Sequence, residues 1–440
     1  MKMKNHKLFC LILWICFLII LIFPSTLSAQ DSVYARNVIE TLASPAFKGR
    51  GYAFKGDSMA ASFISQEFFR FNLKQWTNNY YQPYYVSMNV FEGNKEVHFG
   101  KNYPSSTCSD AMQIVASSAP VKGHFSIIPA TKKMLKSKWD TSKTKDKFIA
   151  IDMTQYASDK DKDKEKRKQW SQVISKNPLN AKGYILINKQ MSAYSPIVGR
   201  IKSSHTTIIL LKDSISGTLK HVDINLDARF VEQYQTQNVC GYVEGKLYPD
   251  TFFVIGAHYD HLGQIGTDYI FHGANDNASG TAMMMDLARH FSLPENKPDY
   301  SIAFVAFSGE EIGLLGSFYF VENTPIPINN IKMMLNLDMV GTGEDGFTFV
   351  CGKTFPDEFN KFATINNEKN YSPKLVQREE AANSDHYPFY KKGGKAMFIF
   401  GMGKAGQYHH PSDTVENLSM GGYNSLARMI IDYINLHNSQ

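Results

Sequence analysis

The sequence predicts an α/β protein with a mixed, mostly parallel sheet that helices cover on both faces, and with an inserted, mostly β domain. Beyond residue 238, near-continuous apolar segments alternate with amphipathic helical patterns, as in sheets that are buried on both faces. Between about residue 84 and residue 229, short β-like runs alternate instead with polar loops. The length of 440 residues leaves room for both units.

The first 29 residues are typical of a secretory signal peptide. They begin with lysines, continue with an apolar run over residues 8–23, and end with small residues between Pro24 and Ala29. The expected location is therefore secreted or periplasmic. An uncleaved membrane anchor is the alternative, because the apolar run is only slightly shorter than a membrane-spanning helix.

Charge and cysteine content exclude some classes of partner and site. The formal net charge of +6 falls to +3 without the three leader lysines, which is too mild for the basic surface of a nucleic-acid-binding protein. Outside the leader the chain has only Cys108, Cys240 and Cys351. We therefore expect at most one disulfide and no CxxC metal site, and the sequence does not indicate which two cysteines would pair.

Helical and strand patterns follow one another along the mature chain. Apolar residues at three- and four-residue spacing predict helices over residues 32–42 and 57–73, with a turn at residues 49–51 between them. The charged stretch 159–168 is interpreted as a solvated face. The predicted strands cover residues 84–90, 148–152, 183–187, 206–211, 252–257, 301–307, 332–337, 348–350 and 396–400. The predicted helices of the second half cover residues 279–291, 314–322, 357–367 and 423–436.

A histidine and an aspartate follow the first of the later strands. His258 and Asp260 come directly after the strand 252–257, and strand alternation puts both on one side of the chain. An imidazole beside a carboxylate suits a metal ligand whose ring orientation the carboxylate fixes. A lone histidine at a strand end is more often a hydrogen-bonded structural residue, so this pair alone does not decide the matter.

Further carboxylates and histidines lie after other strands or in loops before helices. They are Asp276, Glu310, Glu311, Asp338, His409 and His410. Each alone could be a helix cap or a turn residue. Two adjacent glutamates at an apolar strand end would repel each other unless cations meet them. One of the two could then bind metal while the other acts as a general base.

Taken together, these positions predict a zinc centre at one edge of the sheet. Ligands of open α/β sheets collect at the carboxyl ends of the strands. Carboxylate oxygens with two imidazoles suit zinc. Two histidines, two aspartates and one of the two glutamates make five ligands. Five are too many for one tetrahedral zinc ion with an open position, but they fit two zinc ions that share one carboxylate and one water.

Five sequence blocks resemble a known family. In order they are AHYDHLG, GANDNASG, SGEEIGLLGS, NLDMVG and YHHPSDT. They resemble the di-zinc exopeptidases, which include bacterial leucyl aminopeptidases, glutamate carboxypeptidase II and glutaminyl cyclases, and are most similar to a secreted zinc aminopeptidase with a protease-associated-type insertion. The resemblance implies the phosphorylase/hydrolase-like zinc exopeptidase fold. It also implies a di-zinc peptidase domain from residues 30–100 and 230–440, with an inserted protease-associated-like β domain at residues 101–229.

The resemblance implies a role for each site residue. The implied metal ligands are His258 and Asp338 for one zinc ion, Glu311 and His409 for the other, and Asp276 as the bridge. Glu310 is the implied general base, and Asp260 is counted with it as a catalytic residue. His409 is chosen over His410 because the family's ligand precedes the aspartate of the DT pair, here Asp413, by four positions. The peptide bond after the bridging Asp276 is implied to be cis.

The remaining acidic and histidine residues are assigned no ligand or catalytic role. Asp385 and His386 belong to the NSDHYPF block, which the resemblance places near the site. The other histidines are expected to be scattered surface or packing residues. They are His98, His124, His205, His221, His272, His290 and His437.

The resemblance implies a secreted zinc-dependent exopeptidase, in the first place an aminopeptidase. A hydroxide that bridges two zinc ions would attack the first peptide bond, and Glu310 would take and return the proton. The implied partners are peptides with a free N-terminus, with no nucleic acid and no membrane unless the leader stays uncleaved. Three alternatives stay open: a carboxypeptidase of the glutamate carboxypeptidase type, a glutaminyl cyclase with one zinc ion, and a binding protein on an inactive scaffold. The carboxypeptidase would need a basic pocket, for which the possible donors are Arg50, Arg200 and Arg378.

Overall fold

The computed structural model describes residues 32–100, 111–136, 139–190, 199–265, 269–406 and 408–438. The expected leader and Cys108 lie outside these ranges. Cys240 and Cys351 are both buried and free. None of the helices within the described ranges is long and apolar enough to cross a lipid bilayer.

Helices and strands alternate through much of the described chain. The helices are α1 (Ser32–Leu42), α2 (Gly56–Arg70), α3 (Asp161–Lys176), α4 (Gly280–Ser292), α5 (Leu315–Asn323), α6 (Pro356–Lys369), α7 (His386–Lys391) and α8 (Tyr423–Asn438). The strands are β1 (Tyr81–Val90), β2 (Lys95–His98), β3 (Met112–Ile114), β4 (Val121–Pro129), β5 (Phe148–Asp152), β6 (Gly183–Asn188), β7 (Thr206–Leu211), β8 (His221–Leu226), β9 (Arg229–Val243), β10 (Tyr248–His258), β11 (Gln264–Ile265), β12 (Tyr269–Ile270), β13 (Tyr300–Phe307), β14 (Ile331–Leu337), β15 (Gly346–Val350), β16 (Leu375–Gln377) and β17 (Ala396–Met402).

The main sheet has eight strands in the order β1-β9-β13-β10-β14-β17-β15-β16. The four central strands, β13, β10, β14 and β17, are parallel to one another. Strands β9 and β15 run antiparallel to their central neighbours. The central strands are apolar along nearly their whole length, as β13 shows with the sequence YSIAFVAF. The predicted mixed, mostly parallel sheet is confirmed.

Helices cover both faces of this sheet. Helices α1, α2, α4, α6 and α8 contribute to one apolar core, whereas α5 and α7 contribute to the other through Phe320 and Phe389. Neighbouring strand residues face opposite cores: Phe253 and Ile255 of β10 belong to the first core and Val254 to the second. Because apolar residues pack against both faces, the ends of the central strands are held in fixed positions.

The middle of the chain forms a second sheet of seven strands in the order β2-β8-β4-β5-β6-β7-β3. Strand β2 joins it by pairing with β8, so this sheet begins at Lys95, ahead of the expected boundary at residue 101. Helix α3 contains most of the charged stretch and packs on the sheet through Trp170, its one buried residue. The rest of that helix lies at least partly in contact with solvent, as the charge pattern predicts.

The parallel strands of the main sheet bring the predicted site residues to one edge. His258 is the last residue of β10, Glu310 and Glu311 follow β13, and Asp338 follows β14. Strand β10 pairs with both β13 and β14, so these side chains lie close together. The loop 274–279, which carries Asp276, leads into α4.

Candidate metal centre

Three predicted ligands form a buried group at the ends of β10 and β14. His258 Nε2 lies 3.3 Å from Asp338 Oδ1 and 3.4 Å from Asp276 Oδ1. All three residues are buried, His258 with only 1% of its surface exposed. One imidazole nitrogen and two carboxylate oxygens at this spacing can share one metal ion.

A second group uses the other oxygen of Asp276. His409 Nε2 lies 3.2 Å from Asp276 Oδ2 and 3.1 Å from Glu311 Oε2. Asp276 thus presents one oxygen to each group, as a bridging carboxylate would. The neighbouring His410 instead places its Nδ1 2.8 Å from Ser412 Oγ. The structure therefore brings His409 to the ligand groups, whereas the ring of His410 contacts Ser412.

Hydrogen bonds hold the loop that carries Asp276. The Asp413 carboxylate accepts from the backbone amides of Asn275 and Asp276 at 2.9 and 3.0 Å. The Asn277 side chain donates to the Leu337 carbonyl at 2.9 Å, which ties the loop to β14. The peptide bond between Asp276 and Asn277 is cis, as the resemblance implies.

Arg50 supports the same loop from inside the protein. Its side chain is fully buried and donates to five backbone carbonyls over 2.7–3.2 Å. These carbonyls belong to Leu42, Tyr259, His272, Gly273 and Asp276. A guanidinium has five N–H groups, so Arg50 has no donor left for a substrate carboxylate.

We expect Arg50→Met to lower the free energy of unfolding by about 3 kcal/mol or more, because buried carbonyls left without a donor cost about 1–3 kcal/mol each. Denaturant unfolding of the purified chain measures the change. Arg378→Met, at an exposed arginine, is the matched control and should shift stability by less than about 0.5 kcal/mol. Equal unfolding midpoints for the two variants would show that the carbonyl contacts of Arg50 contribute little.

Asp260 holds the turn that carries the two glutamates. Its carboxylate accepts hydrogen bonds from Tyr52 Oη at 2.9 Å and from the amides of Glu310 and Glu311 at 3.2 and 3.4 Å. Burial raises the pKa of Asp260 to about 6, although the charge of His258 opposes this. His258 Nδ1 lies 3.1 Å from the Asp260 carbonyl oxygen and 3.8 Å from its carboxylate. Asp260 therefore orients the glutamate turn more directly than it orients the imidazole.

The two glutamates have different surroundings. Glu310 is half-buried, and burial raises its pKa well above the ordinary value, with the charge of His258 opposing and that of Glu311 adding to the rise. Burial and the charge of Asp276 would also raise the pKa of Glu311, but His409 and His261 outweigh them and lower it to about 2. The two neighbouring carboxylates therefore shift their pKa in opposite directions, because only Glu311 has two imidazoles beside it.

His261 enters the centre although the sequence analysis did not name it. Its Nδ1 lies 2.7 Å from Glu311 Oε1 and 3.9 Å from Asp276 Oδ2. Its Nε2 is buried and has no hydrogen-bond partner within the described ranges. The three residues could themselves hold a metal ion. The signal for His261 was present in the AHYDHLG block, whose second histidine it is.

The NSDHYPF block supports β14 through a residue that the sequence analysis did not single out. Ser384 Oγ donates to Asp338 Oδ2 at 2.6 Å and accepts from Asn336 at 2.7 Å. Asp385 is buried and accepts a hydrogen bond from Ser317. Burial raises the pKa of Asp385 to about 7. Ser384, rather than Asp385, is the residue of this block that contacts a predicted ligand.

The donor set fits divalent cations. Burial by itself would lower the pKa of His409, but Glu311 and Asp276 outweigh it and raise the pKa to about 11. Asp276 Oδ2 is buried and lies 3.2 Å from His409 Nε2 and 3.9 Å from His261 Nδ1. Crowded carboxylates of this kind need positive charge, and metal ions can supply it through the same imidazoles once these lose their protons.

Comparison with known proteins identifies the part of the chain that carries this centre. Peptidase family M28 matches residues 238–434. Aminopeptidase YwaD of Bacillus subtilis (strain 168) is 28% identical over 254 residues, which are 54% of this chain and 53% of that protein. The match therefore spans about half the length of this curated relative.

Solved structures share the fold over nearly the whole chain. An aminopeptidase from Aneurinibacillus sp. strain AM-1 has a TM-score of 0.63 at 18% identity and covers 93% of this chain and 94% of that one. BSAP, a zinc aminopeptidase from Bacillus subtilis, has a TM-score of 0.66 at 21% identity, with 92% and 95% covered. The segment from residue 238 to residue 434 matches peptidase family M28, and the resemblance to the di-zinc exopeptidases is confirmed.

Proposed function

We propose that this protein is a zinc-dependent aminopeptidase that removes the first residue of peptides with a free N-terminus. The observation that carries the proposal is the pair of ligand groups that share Asp276. Glu310 directly precedes Glu311, a member of the second group. The names of the similar proteins, aminopeptidase and zinc aminopeptidase, support the same activity and metal. Two zinc ions per chain suit this set of imidazoles and carboxylates.

Each predicted ligand has a task in this proposal. His258 and Asp338 would hold one zinc ion, Glu311 and His409 would hold the other, and Asp276 would hold both. When bound, the two ions supply Lewis-acid chemistry, since they polarise a peptide carbonyl and lower the pKa of water. The hydrogen bonds of Ser384 and His261 keep Asp338 and Glu311 in place.

Glu310 is the general base. It follows the same strand as Glu311 but is half-buried, so its carboxylate can face a substrate from outside the ligand groups. It takes a proton from the attacking water and returns it to the leaving amine. Asp260 holds the Glu310 amide at 3.2 Å and acts as a positioning residue.

The charge of the centre favours a substrate with a free amine. The carboxylates of Asp276, Glu311 and Asp338 neutralise three of the four positive charges of two zinc ions. With two zinc ions bound, ionised Glu310 and Asp260 would add two further negative charges, which makes the site negative as a whole. A protonated α-amine is attracted to such a place, and its fixed position beside the metals limits cleavage to the first peptide bond.

Two alternatives are less well supported. A carboxypeptidase would need a cationic pocket, and the structure removes Arg50 from the possible donors because all its N–H groups bind backbone carbonyls. A glutaminyl cyclase would use one zinc ion, whereas the geometry offers two ligand groups.

Matched peptides test the proposal. We expect the purified chain to hydrolyse a peptide with a free N-terminus and its C-amidated form, but not its N-acetylated form. Chelation should abolish the activity and zinc should restore it. Cleavage of the acetylated peptide from its C-terminal end would indicate a carboxypeptidase, and ring closure of N-terminal glutamine a cyclase. No reaction at two zinc ions per chain would indicate an inactive scaffold.

We expect His261→Leu to weaken zinc binding at the Glu311 position by about 10–100-fold, because Glu311 loses the donor that orients it. His261→Asn should restore most of the affinity, since its side-chain amide can donate from near the place of Nδ1. Competition with a chromophoric chelator measures both affinities without any substrate. Unchanged binding in the leucine variant would remove the orienting role of His261.

We also propose that the protein is exported, with residues 1–29 as a cleaved leader, and that residues 101–229, together with strand β2 of the same sheet, form a protease-associated-like insertion. N-terminal sequencing of the protein from the producing cells tests export. A soluble form that begins at Gln30 is expected. A membrane-bound form that keeps the leader would support the anchor instead.

A further inference from the structure

Three histidines that are far apart in the sequence meet on one face of the second sheet. Strand β8 lies between β2 and β4, and its Asp223 pairs with His98 of β2 on one side and with His124 of β4 on the other. Directly paired residues share a face, and so do residues two positions apart on one strand, which adds His221. We call these four residues the histidine face. The expectation that these three histidines are scattered is wrong, because strand pairing gathers them, whereas the expectation of surface residues holds for His124 and His221.

Two side-chain contacts link His124 to its neighbours on the histidine face, and these groups are open to solvent. His124 Nδ1 lies 2.7 Å from Asp223 Oδ1, and both side chains are 58% exposed. The rings of His124 and His221 stack, with centroids 4.8 Å apart and planes 21° apart. His221 is exposed, and His98 is half-buried. A dissolved ion can therefore reach all the stacked and paired groups.

The donor set is chemically suited to a transition-metal ion. Imidazole nitrogens bind Zn²⁺, Cu²⁺ and Ni²⁺, and a neighbouring carboxylate adds a charged oxygen ligand. Within the described residues, the groups with three ligand atoms already within 4.8 Å lie at the Asp276 centre. Binding at the histidine face therefore requires rotation of side chains, which exposed residues undergo on a fast timescale.

We propose that the histidine face binds one divalent transition-metal ion through His124, His221 and Asp223, with His98 as a further ligand. The usual order of stability for such ligands makes Cu²⁺ the tightest-bound ion. The ligands are exposed strand residues of the second sheet, whereas the Asp276 centre is buried at the edge of the main sheet. The proposal is therefore independent of the proposed peptidase activity.

Immobilised nickel provides the first test, because a resin-bound ion reaches only exposed histidines. His258 and His409 of the buried centre are 1% and 9% exposed, so neither can contact the resin. The untagged, zinc-loaded chain should be retained, and His124→Ala and His221→Ala should each elute at a lower imidazole concentration. His290→Ala, the same substitution at a histidine outside this face, should elute with the parent. Elution of the His124 and His221 variants with the parent would overturn the proposal.

Calorimetric titration with Cu²⁺ provides the second test. The zinc-loaded chain should bind one equivalent of Cu²⁺ without releasing zinc, which a chromophoric dye monitors in parallel. His124→Ala should weaken this equivalent by about tenfold or more. Its thermal unfolding midpoint should match that of the parent, since the position is exposed. A copper equivalent that persists unchanged in the His124→Ala, His221→Ala double variant, or that appears only with zinc release, would overturn the proposal.

Discussion

Glu310→Gln is expected to lower turnover by about a hundredfold or more while both zinc ions stay bound. Glutamine keeps the size and the hydrogen-bonding capacity of glutamate, but it cannot accept the proton of water. The ligands should stay in place, because the hydrogen bond between Asp260 and the amide of residue 310 involves backbone and not the exchanged side chain. Steady-state kinetics and zinc analysis of the same preparation measure the two effects together.

The neighbouring glutamate supplies the matched control. Glu311 Oε1 lies 2.7 Å from His261 Nδ1, and Oε2 lies 3.1 Å from His409 Nε2. Glu311→Gln should therefore lose zinc first and activity as a consequence. If Glu310→Gln strips the metal, or turns over like the parent, the roles assigned to the two glutamates must be exchanged or abandoned.

Asp276→Ala is expected to weaken zinc binding at both positions, whereas His409→Ala weakens it at one. Asp276 places Oδ1 3.4 Å from His258 Nε2 and Oδ2 3.2 Å from His409 Nε2, so its removal takes an oxygen from each group. At limiting free zinc, the metal content should fall from about two ions per chain to nearly none in the first variant, and to about one in the second. Elemental analysis after dialysis against a weak chelator measures both.

His410→Ala is the control for this pair of variants. It lies next to His409, but its ring contacts Ser412, so both zinc ions should stay bound. Circular dichroism excludes unfolding of the Asp276 variant, whose backbone amide keeps its hydrogen bond to Asp413. Equal loss of zinc in the Asp276 and His409 variants would contradict a bridging role.

Local patterns predicted the helices better than the strands that are held by distant partners. Helices α4 and α8 begin and end within two residues of the predicted bounds, because apolar spacing marks the face that each helix buries. Strand β9, in contrast, was missed. Over its 15 residues the first half is largely exposed and polar, and it is held by pairing with β1, which lies far away in the sequence. Pairing with a distant strand leaves no local pattern to detect.

The candidate ligands could be predicted in part because His258, Glu311 and Asp338 lie at or just after the ends of strands, whereas Asp276 and His409 lie in segments between a strand and a helix. His258 ends β10, Asp338 follows β14, and the motifs around them constrain which residue is meant. Local sequence decides where a strand stops, so it also decides which side chains appear at the edge of the sheet. The resemblance of the five blocks then implied how the ligands are shared.

By itself, the sequence determined the fold class, which polar side chains follow each apolar strand, and the chemical type of the candidate ligands. Only the tertiary structure decided that His261 faces Glu311, that Ser384 holds Asp338, and that Arg50 supports the Asp276 loop across 226 residues of sequence. It also decided that histidines of β2, β4 and β8 share one face. The physical reason is that local patterns specify which residues are buried. Contacts between distant side chains depend instead on strand register and on the packing of segments that meet only in the folded chain.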